Sequence, residues 1–258
     1  MRRALAALTT TLAFAASAFA ADLPQIKSRG VLRVIAAADD APETFSFAGG
    51  ARPGFERELA DGFAKLHGLR LEPVKVKLYS DRIPALVGGD GDLIVAIFDT
   101  EDRRKQVDFT VEVMPTHNVA VTLSSRPAVK TLAELKALKV GAIRGAKPAE
   151  EAAAAGVAAL TLFDTQDEMK QALKRGSIDA MVLPISELVV VSRDSTGLVA
   201  GVTVGPRGKV AWAVRKQDVA LRAALDEYLG NVRRGPSWSR LLVQYFGDQA
   251  LQVLGRDR

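Results

Sequence analysis

The apolar positions of the first hundred residues alternate between continuous runs and spaced repeats. The runs at 30–38 ("GVLRVIAAA") and 92–98 ("DLIVAIF") are apolar almost throughout, which is typical of strands buried on both faces of a parallel sheet. Between them, apolar residues recur every three or four positions and predict a helix that ends at Gly68. Its buried face would consist of Phe55, Leu59, Phe63 and Leu66.

Two shorter elements lie between that helix and the second run. The segment 69–78 ("LRLEPVKVKL") predicts a strand, and 80–89 ("SDRIPALVGG") predicts a short helix that its glycines end. Strands that alternate with helices in this way indicate α/β construction.

The same rhythm restarts in the second half of the chain. Thr131 and Glu134 form a capping box that predicts a helix start. Strands are predicted at "KVGAI" and "DAMVLP", a helix at "DTQDEMKQALKRG", and two final helices at 217–235 and 237–247. The chain therefore reads as two α/β units and a helical tail, with crossings near Met114–Val121 and Val204–Gly208.

The first twenty residues predict a secretory signal peptide. A basic start ("MRR") precedes an apolar run, and small residues stand at the cleavage positions Ala18 and Ala20. No later run approaches the ~20 apolar residues of a membrane span. We expect residues 1–20 to be removed and the mature protein to be periplasmic.

Composition narrows the classes of function. The chain has 258 residues, of which 48% are hydrophobic, enough for a sizeable core. It has no cysteine, which excludes disulfides and thiolate chemistry. The net charge of +5 comes from interspersed charges without a basic, aromatic-rich stripe, so we expect no nucleic-acid partner. The two histidines, His67 and His117, lack metal-ligand spacing, and we expect neither a metal nor a cofactor.

Eight short motifs occur in an order that resembles a known family. They resemble the extracellular solute-binding proteins of the polar amino-acid type, which serve ABC importers. The motifs are "RGVLRV", "GFERELADGFAKLHG", "RIPALVGGDGDLIV", "TEDRRKQVDFT", "LKVGAIRG", "LKRGSIDAMV", "AWAVRK" and "YFG".

The resemblance implies a two-lobed α/β fold of the periplasmic-binding-protein type. Each lobe would be a mixed, mainly parallel sheet flanked by helices, and two hinge strands would join the lobes. It assigns lobe 1 to 22–117 and 207–258, and lobe 2 to 118–206. One small ligand would bind where the lobes close.

The resemblance also assigns roles to residues near the end of the second apolar run. Arg103 matches the family arginine that holds a ligand carboxylate through two charge-assisted hydrogen bonds. By the same comparison, we expect the neighbouring Arg104 to be a charged residue that faces solvent. The preceding "AIFDT" has one hydroxyl, Thr100, where the family usually offers more. Phe98 would line the site or pack in the core, and Asp99 would face the ligand or cap a helix.

Further candidates come from both lobes. Tyr79 occupies the place of a family aromatic that stacks on the ligand. Asp40 replaces a second such aromatic and, with Asp39 and Glu43, forms an acidic rim that either accepts a ligand amine or is an ordinary turn. In lobe 2 the resemblance implies an anion site at a helix start, which here carries Arg144, Ala146 and Lys147; the two bases would add positive charge or belong to a solvated loop.

Pro184 stands where amino-acid binders usually carry the acid that grips the ligand ammonium. Because a buried charge left unpaired costs several kcal/mol, we expect a carboxylate ligand without a conventional α-ammonium. The alternative is an amino acid whose amine reaches Asp40 or Asp99.

The predicted function is capture of a small carboxylate-bearing ligand by a monomeric, non-enzymatic protein that delivers it to an ABC permease. Two alternatives stay open. One is a partner or sensor module for a periplasmic redox system. The other is an enzyme resembling the cyclohexadienyl dehydratases, which share this fold.

Overall fold

The computed structural model describes residues 22–38, 40–194 and 197–254. The predicted signal peptide and Asp39 lie outside the described residues. Among the described residues, no helix is both long and apolar enough to cross a bilayer.

Strands and helices alternate along the described chain as the sequence predicts. The strands are β1 (Val31–Ala37), β2 (Arg70–Val76), β3 (Leu93–Phe98), β4 (Asp108–Phe109), β5 (Met114–Leu123), β6 (Val140–Ile143), β7 (Leu160–Phe163), β8 (Ala180–Pro184) and β9 (Leu198–Val214). The helices are α1 (Leu23–Arg29), α2 (Pro42–Phe45), α3 (Phe55–Leu66), α4 (Arg82–Gly88), α5 (Glu101–Arg104), α6 (Leu132–Lys136), α7 (Lys147–Ala154), α8 (Gln166–Lys174), α9 (Ile185–Asp194), α10 (Val219–Arg234), α11 (Pro236–Phe246) and α12 (Ala250–Val253). Short 3₁₀ turns lie at Tyr79–Asp81 and Gly247–Gln249.

The strands form one mixed sheet in the order β2-β1-β3-β9-β5-β8-β6-β7, with β4 paired to β9. Strand β1 runs parallel to β2 and β3, and β6 runs parallel to β7 and β8. The two long strands β5 and β9 pair with each other in antiparallel fashion between these parallel blocks. We call the block around β2-β1-β3 the first lobe and the block around β8-β6-β7 the second lobe. The predicted α/β class and two-lobed architecture are confirmed.

The strands β5 and β9 are the connections between the lobes. Their pairing shifts register between Thr116 and Asn118. The lobe boundaries suggested by the resemblance, at 117/118 and 206/207, fall inside these two strands and stay predictions. A register shift locally bends a strand pair, which suits a connection between two packed blocks.

Separate apolar clusters cover the faces of each block. In the first lobe, Phe45, Phe63 and Trp212 are almost fully buried between the sheet and the surrounding helices. Burying each such side chain stabilises the fold by about 1.5–3 kcal/mol. Met169 and Met181 belong to the corresponding core of the second lobe.

The predicted helix at 55–66 forms as α3, with one difference at its end. Phe55, Leu59 and Phe63 are buried, but Leu66 is 68% exposed. Periodicity places Leu66 on the apolar face, yet its side chain is exposed, whereas Phe63 and Ala64 of the same turn are buried. The prediction that Leu66 is buried is therefore wrong.

Candidate functional site: a cleft between the two lobes

A cavity of about 70 Å³ lies between the lobes, where several parallel strands end. Ala96 and Phe98 approach it from the end of β3, and Ile143 and Leu183 from the ends of β6 and β8. Helix starts complete the lining: Glu56 lies in the first turn of α3 and Glu187 in the first turn of α9. Crevices beyond the carboxyl ends of parallel strands are the usual ligand sites of α/β proteins.

Most of the cavity wall is apolar. The first lobe and β9 contribute Phe55, Phe98 and Val210, and the second lobe contributes Ile143 and Leu183. Apolar walls exclude water from a closed cleft, so the few polar groups on the wall act at low dielectric and have a large effect.

The charged groups on the wall are all acidic. Asp40, Glu43 and Glu56 come from the first lobe, and Glu187 comes from the second. No lysine, arginine or histidine is among the described residues that line the cavity.

Glu56 is the most deeply buried of these acids. It is 2% exposed, and its Oε2 atom accepts a hydrogen bond of 2.5 Å from Nε1 of Trp212 in β9. Burial raises the pKa of Glu56 from 4.5 to about 7, against the lowering effects of the Trp212 hydrogen bond and of the Arg82 charge. A group with this pKa changes its charge near neutral pH.

The Asp40 carboxylate is fixed by contacts with other residues of the first lobe. One carboxylate oxygen pairs with the guanidinium of Arg82, and the other accepts from the backbone N–H of Ala37 at 2.9 Å. Arg82 is 1% exposed and lies over the ring of Tyr79, 4.3 Å from its centroid. These contacts fix Asp40 and Tyr79 at the cleft as one unit.

The backbone of β3 is irregular at Ala96, beside the cavity. It has a φ of 52°, where the pairing of β3 with β9 shifts register between Ile94 and Ile97. A positive φ is uncommon for alanine. Its carbonyl oxygen lies 3.4 Å from Nη1 of Arg82, so the irregular backbone contributes to holding that arginine.

Arg103 bridges the two lobes. Its Nη1 atom donates to the carbonyl of Phe98 at 3.0 Å, and its Nη2 atom donates to the carbonyl of Gly145 in the second lobe at 3.2 Å. It is 7% exposed, with its guanidinium 5.7 Å from the ring centroid of Tyr79. Arg103 is not among the residues that line the cavity, and its role as a carboxylate anchor stays a prediction.

The structure brings four of the predicted site residues to the cavity wall: Tyr79, Asp40, Phe98 and Ala146. Thr100 instead caps α5, where its hydroxyl oxygen accepts from the backbone N–H of Arg103 at 3.3 Å.

Three other predicted residues lie away from the cavity wall, each with a local partner. Asp99 accepts two hydrogen bonds of 2.5 Å from Arg104 and pairs with Lys209 at 3.1 Å. Arg144 pairs with Asp164 at 2.8 Å, and Lys147 with Glu150 at 3.1 Å. None of the three is among the residues that line the cavity, and the ligand contacts suggested for them stay predictions.

Sequence reasoning missed two acids of the cleft. Glu187 lies three residues beyond Pro184, in the first turn of α9. It accepts a hydrogen bond of 3.0 Å from the side-chain amide of Gln166. Glu56 directly follows Phe55 at the start of α3, and a charged residue beside the apolar face of a helix was the available signal.

The described residues contain no cluster of three or more histidine, cysteine, aspartate or glutamate side chains that could hold a metal ion.

A family model described as "Bacterial extracellular solute-binding proteins, family 3" matches residues 32–248. Among solved structures, a mutant of the arginine-binding protein ArgBP from T. maritima is similar with a TM-score of 0.78 and 26% identity, covering 87% of this chain and 99% of that one. The ancestral amino-acid-binding protein AncCDT-1, titled a precursor of cyclohexadienyl dehydratase, has a TM-score of 0.76 and 26% identity, covering 86% of this chain and 98% of its own.

Curated relatives include both binding proteins and an enzyme. The L-cystine-binding protein TcyJ of Escherichia coli is 26% identical, over 87% of this chain and 86% of its own length. The membrane-bound lytic murein transglycosylase F of Idiomarina loihiensis is 26% identical over 96% of this chain. The probable histidine-binding protein of Campylobacter jejuni is 30% identical over 50% of this chain. The chain spans 58% of the transglycosylase and 50% of the histidine-binding protein.

Proposed function

Because the chain belongs to the bacterial extracellular solute-binding proteins of family 3, we propose that it captures a small solute of the amino-acid class between its lobes. The observation that carries this proposal is the apolar cavity lined by residues of both lobes at the ends of their parallel strands. A ligand there touches both lobes at once, so its binding stabilises the closed arrangement.

The contacts across the cleft support a binding role that depends on closure. Arg103 of the first lobe reaches the carbonyl of Gly145 in the second lobe, and Ser80 lies close to Gly145, with 3.0 Å between its Cβ and a Cβ built on the glycine. Opening the cleft breaks the Arg103 hydrogen bond and releases half of the guanidinium fork. In the open form Arg103 is then available to a ligand carboxylate.

Export and delivery complete the proposal. The predicted leader places the mature protein in the periplasm, where a membrane permease of the ABC type would receive the solute. Relatives named as binding proteins for cystine and histidine support solute capture.

Native mass spectrometry of protein purified from the periplasm tests the proposal. We expect a bound small molecule, and we expect the standard amino acids or simple amines and organic acids to raise the melting temperature. A mass that corresponds to protein alone, with no thermal response to any of these solutes, would contradict solute capture.

A second candidate is an enzyme of the cyclohexadienyl dehydratase kind. The observation that favours it is Glu56, because a carboxyl group with a pKa of about 7 inside an apolar cleft can donate a proton to a leaving hydroxyl. Incubation with prephenate or arogenate distinguishes the two functions: an aromatic product supports the enzyme, and unchanged substrate supports binding alone.

A further inference from the structure

The two strands that connect the lobes, β5 and β9, lose their regular pairing over a short stretch. The last regular pair on one side joins Thr116 to Gly208, and the first on the other side joins Asn118 to Val204. Between them, one residue of β5 lies opposite residues 205–207 of β9. Extra residues in one strand bend a strand pair. We call this stretch the hinge bend.

Glu151 of α7 packs against the hinge bend from the second lobe. It is 6% exposed, and its Oε2 atom accepts a hydrogen bond of 2.5 Å from Nδ2 of Asn118. Gly205 has a φ of 78°, and a Cβ atom there would overlap the Glu151 carboxyl group. A glycine in the left-handed region therefore lets the carboxyl group lie directly against the backbone of β9.

The side chain of Asn118 keeps one atom unpaired beside this carboxyl group. Asn118 is fully buried, and its Oδ1 atom has no hydrogen-bond partner among the described residues. A buried acceptor without a donor costs stability. An ionised Glu151 cannot supply the donor, because a carboxylate only accepts hydrogen bonds. A neutral carboxyl group can donate its O–H to Oδ1 while its other oxygen accepts from Nδ2.

The opposite orientation of the Asn118 amide leads to the same protonation state. With its oxygen and nitrogen exchanged, the amide would place Oδ1 at 2.5 Å from Oε2 of Glu151. Two oxygen atoms lie this close only when a proton is between them. A hydrogen on the Glu151 carboxyl group therefore completes the pair in both orientations.

The surroundings of Glu151 favour the neutral form. Burial raises the pKa of Glu151 above 4.5, against the lowering effect of the Lys147 charge, and the neighbouring Glu150 raises the pKa further. The strands β6, β7 and β8, which pack against α7, contain no charged residue. The titratable or charged residues of β5 and β9 are His117, Arg207 and Lys209.

Helix α7 connects the hinge bend with the cavity. Its N-cap residue Ala146 and its first-turn residue Pro148 line the cavity, and Glu151 follows Pro148 by three positions, which places both on one side of the helix. In β8, Pro184 pairs with Asn118 and also lines the cavity. A rearrangement of the Glu151 and Asn118 side chains therefore acts directly on the second-lobe wall of the cleft.

We propose that Glu151 and Asn118 form a proton-dependent latch, in which a neutral Glu151 exchanges two hydrogen bonds with Asn118 and supports the closed arrangement of the lobes. When Glu151 gives its proton to water, Oδ1 loses its donor and a charge is left between packed strands. The carboxylate then moves toward solvent, and the hinge bend loses its support. This inference rests on the proposed function, because it describes the regulation of the proposed capture site.

The sign of the effect follows from which arrangement binds the proton. The closed arrangement buries Glu151 against Asn118 and keeps the proton, whereas an arrangement that exposes Glu151 to water releases it at lower pH. The population of the open arrangement should therefore rise as the pH rises.

Carbon-13 NMR of the ligand-free protein, labelled at the carboxyl carbons of its glutamates, tests the protonation of Glu151. The signal that is absent from Glu151→Gln belongs to Glu151. We expect this signal to titrate with a midpoint above the ordinary value of 4.5. A midpoint at or below 4.5 overturns the latch.

Small-angle scattering tests the response of the lobes. Glu56 also titrates in this range, so the reference protein carries Glu56→Gln and the other substitutions are added to it. We expect the radius of gyration of the reference to rise as the pH passes the NMR midpoint. Adding Glu151→Gln should keep the low-pH radius at every pH, because a glutamine amide donates to Oδ1 and accepts from Nδ2 as the neutral acid does.

Two further substitutions are controls. Glu150→Gln removes an acid of the same helix, which pairs with Lys147 at 3.1 Å, and His117→Gln removes the titratable residue next to Asn118 in β5. Each should leave the rise of the radius with pH in place. A rise that persists with Glu151→Gln, or one that only His117→Gln removes, overturns the latch.

The outcomes separate the latch from solute capture. A radius of gyration that does not depend on pH, together with a bound solute in native mass spectrometry, overturns the latch and leaves solute capture standing. A pH-dependent radius that Glu151→Gln abolishes, in a protein that neither carries nor responds to any solute of the panel, supports the latch as a device of the fold and overturns solute capture.

Discussion

Glu56 links the core of the first lobe to the cleft. Its carboxyl group lines the cavity and at the same time bonds to the indole N–H of Trp212. Asp40 and Arg82 are the charged groups whose fields reach it, and burial outweighs them in setting its pKa. A buried acid with this pKa lowers stability at neutral pH, so its retention in the cavity suits a ligand contact.

Replacing Glu56 by glutamine keeps an acceptor for Trp212 and removes the ionisable group. The native pKa of about 7 lies above the unfolded value of 4.5, so the native state keeps a proton that the unfolded chain releases in this window. Wild-type stability therefore falls as the pH rises from about 4.5 to about 7. We expect the free energy of unfolding of Glu56→Gln, relative to wild type, to rise by roughly 2 kcal/mol between about pH 5 and about pH 8.

Urea unfolding at the two pH values measures this difference. Glu101→Gln, at an exposed position in α5, is the control and should leave the pH dependence of stability unchanged. An equal pH dependence for wild type and Glu56→Gln would show that Glu56 does not carry the excess proton.

Short helices position several groups of the cleft, and their caps can be tested. Thr165 and Glu168 form a reciprocal capping box at the start of α8, the helix that presents Gln166 to Glu187. Loss of such a cap costs about 1 kcal/mol. We expect Thr165→Ala to lower the free energy of unfolding by about that amount and also to weaken ligand binding, as measured by denaturation and calorimetry.

Thr131→Ala is the matched control for the cap. Thr131 accepts from the backbone N–H of Glu134 at 3.2 Å at the start of α6, which contributes no residue to the cavity wall. A similar loss of stability without a loss of affinity is expected. Equal losses of affinity in both variants would count against a positioning role for α8.

Glu151 of α7, in the second lobe, contacts both strands that connect the lobes. Its Oε2 atom accepts a hydrogen bond of 2.5 Å from the side-chain amide of Asn118 in β5. Gly205 of β9 has a φ of 78°, and a Cβ atom there would overlap the Glu151 carboxyl group. Both strands between the lobes thus contact the side chain of Glu151.

Gly205→Ala should therefore destabilise the protein in two ways, by strained backbone and by displacement of Glu151. We expect a loss of roughly 2–3 kcal/mol, and a fall in melting temperature, measured by calorimetry. Gly89→Ala is the control, because Gly89 has a φ of 87° but open space where its Cβ would lie. If both substitutions cost the same, the Glu151 contact contributes nothing beyond backbone strain.

At the scale of the whole molecule, polar contacts among the described residues connect the two lobes across the cleft. The Arg103 guanidinium provides one of them through the Gly145 carbonyl. Closed and open arrangements of such a fold differ by a small free energy, so the loss of one partly buried hydrogen bond changes their populations.

We expect Arg103→Met to increase the radius of gyration of the ligand-free protein in small-angle scattering, because the open arrangement gains population. Arg104→Met is the control, since Arg104 pairs with Asp99 within the first lobe. Identical scattering from wild type and Arg103→Met would contradict a role of Arg103 in holding the lobes together.

The sequence by itself determined the α/β class and the places of most elements. Apolar runs and helical repeats report burial directly, as at β3 and α3, because a strand or helix must turn its apolar side to a core. The order of motifs likewise indicated two lobes and a ligand site at the strand ends. Tyr79, Asp40, Phe98 and Ala146, which the resemblance suggested, line the cavity, and their contacts with a ligand stay predictions.

Only the tertiary structure decided which charged groups share the cleft. Asp99, Arg144 and Lys147 have partners on their own lobes, whereas Glu56 and Glu187 are 131 positions apart in the sequence (187 − 56) and line one cavity. Local sequence does not show that these two residues line one cavity, because their proximity depends on how the strands β5 and β9 position the two lobes. The same placement engages Arg103 with two backbone carbonyls and leaves the cavity wall acidic.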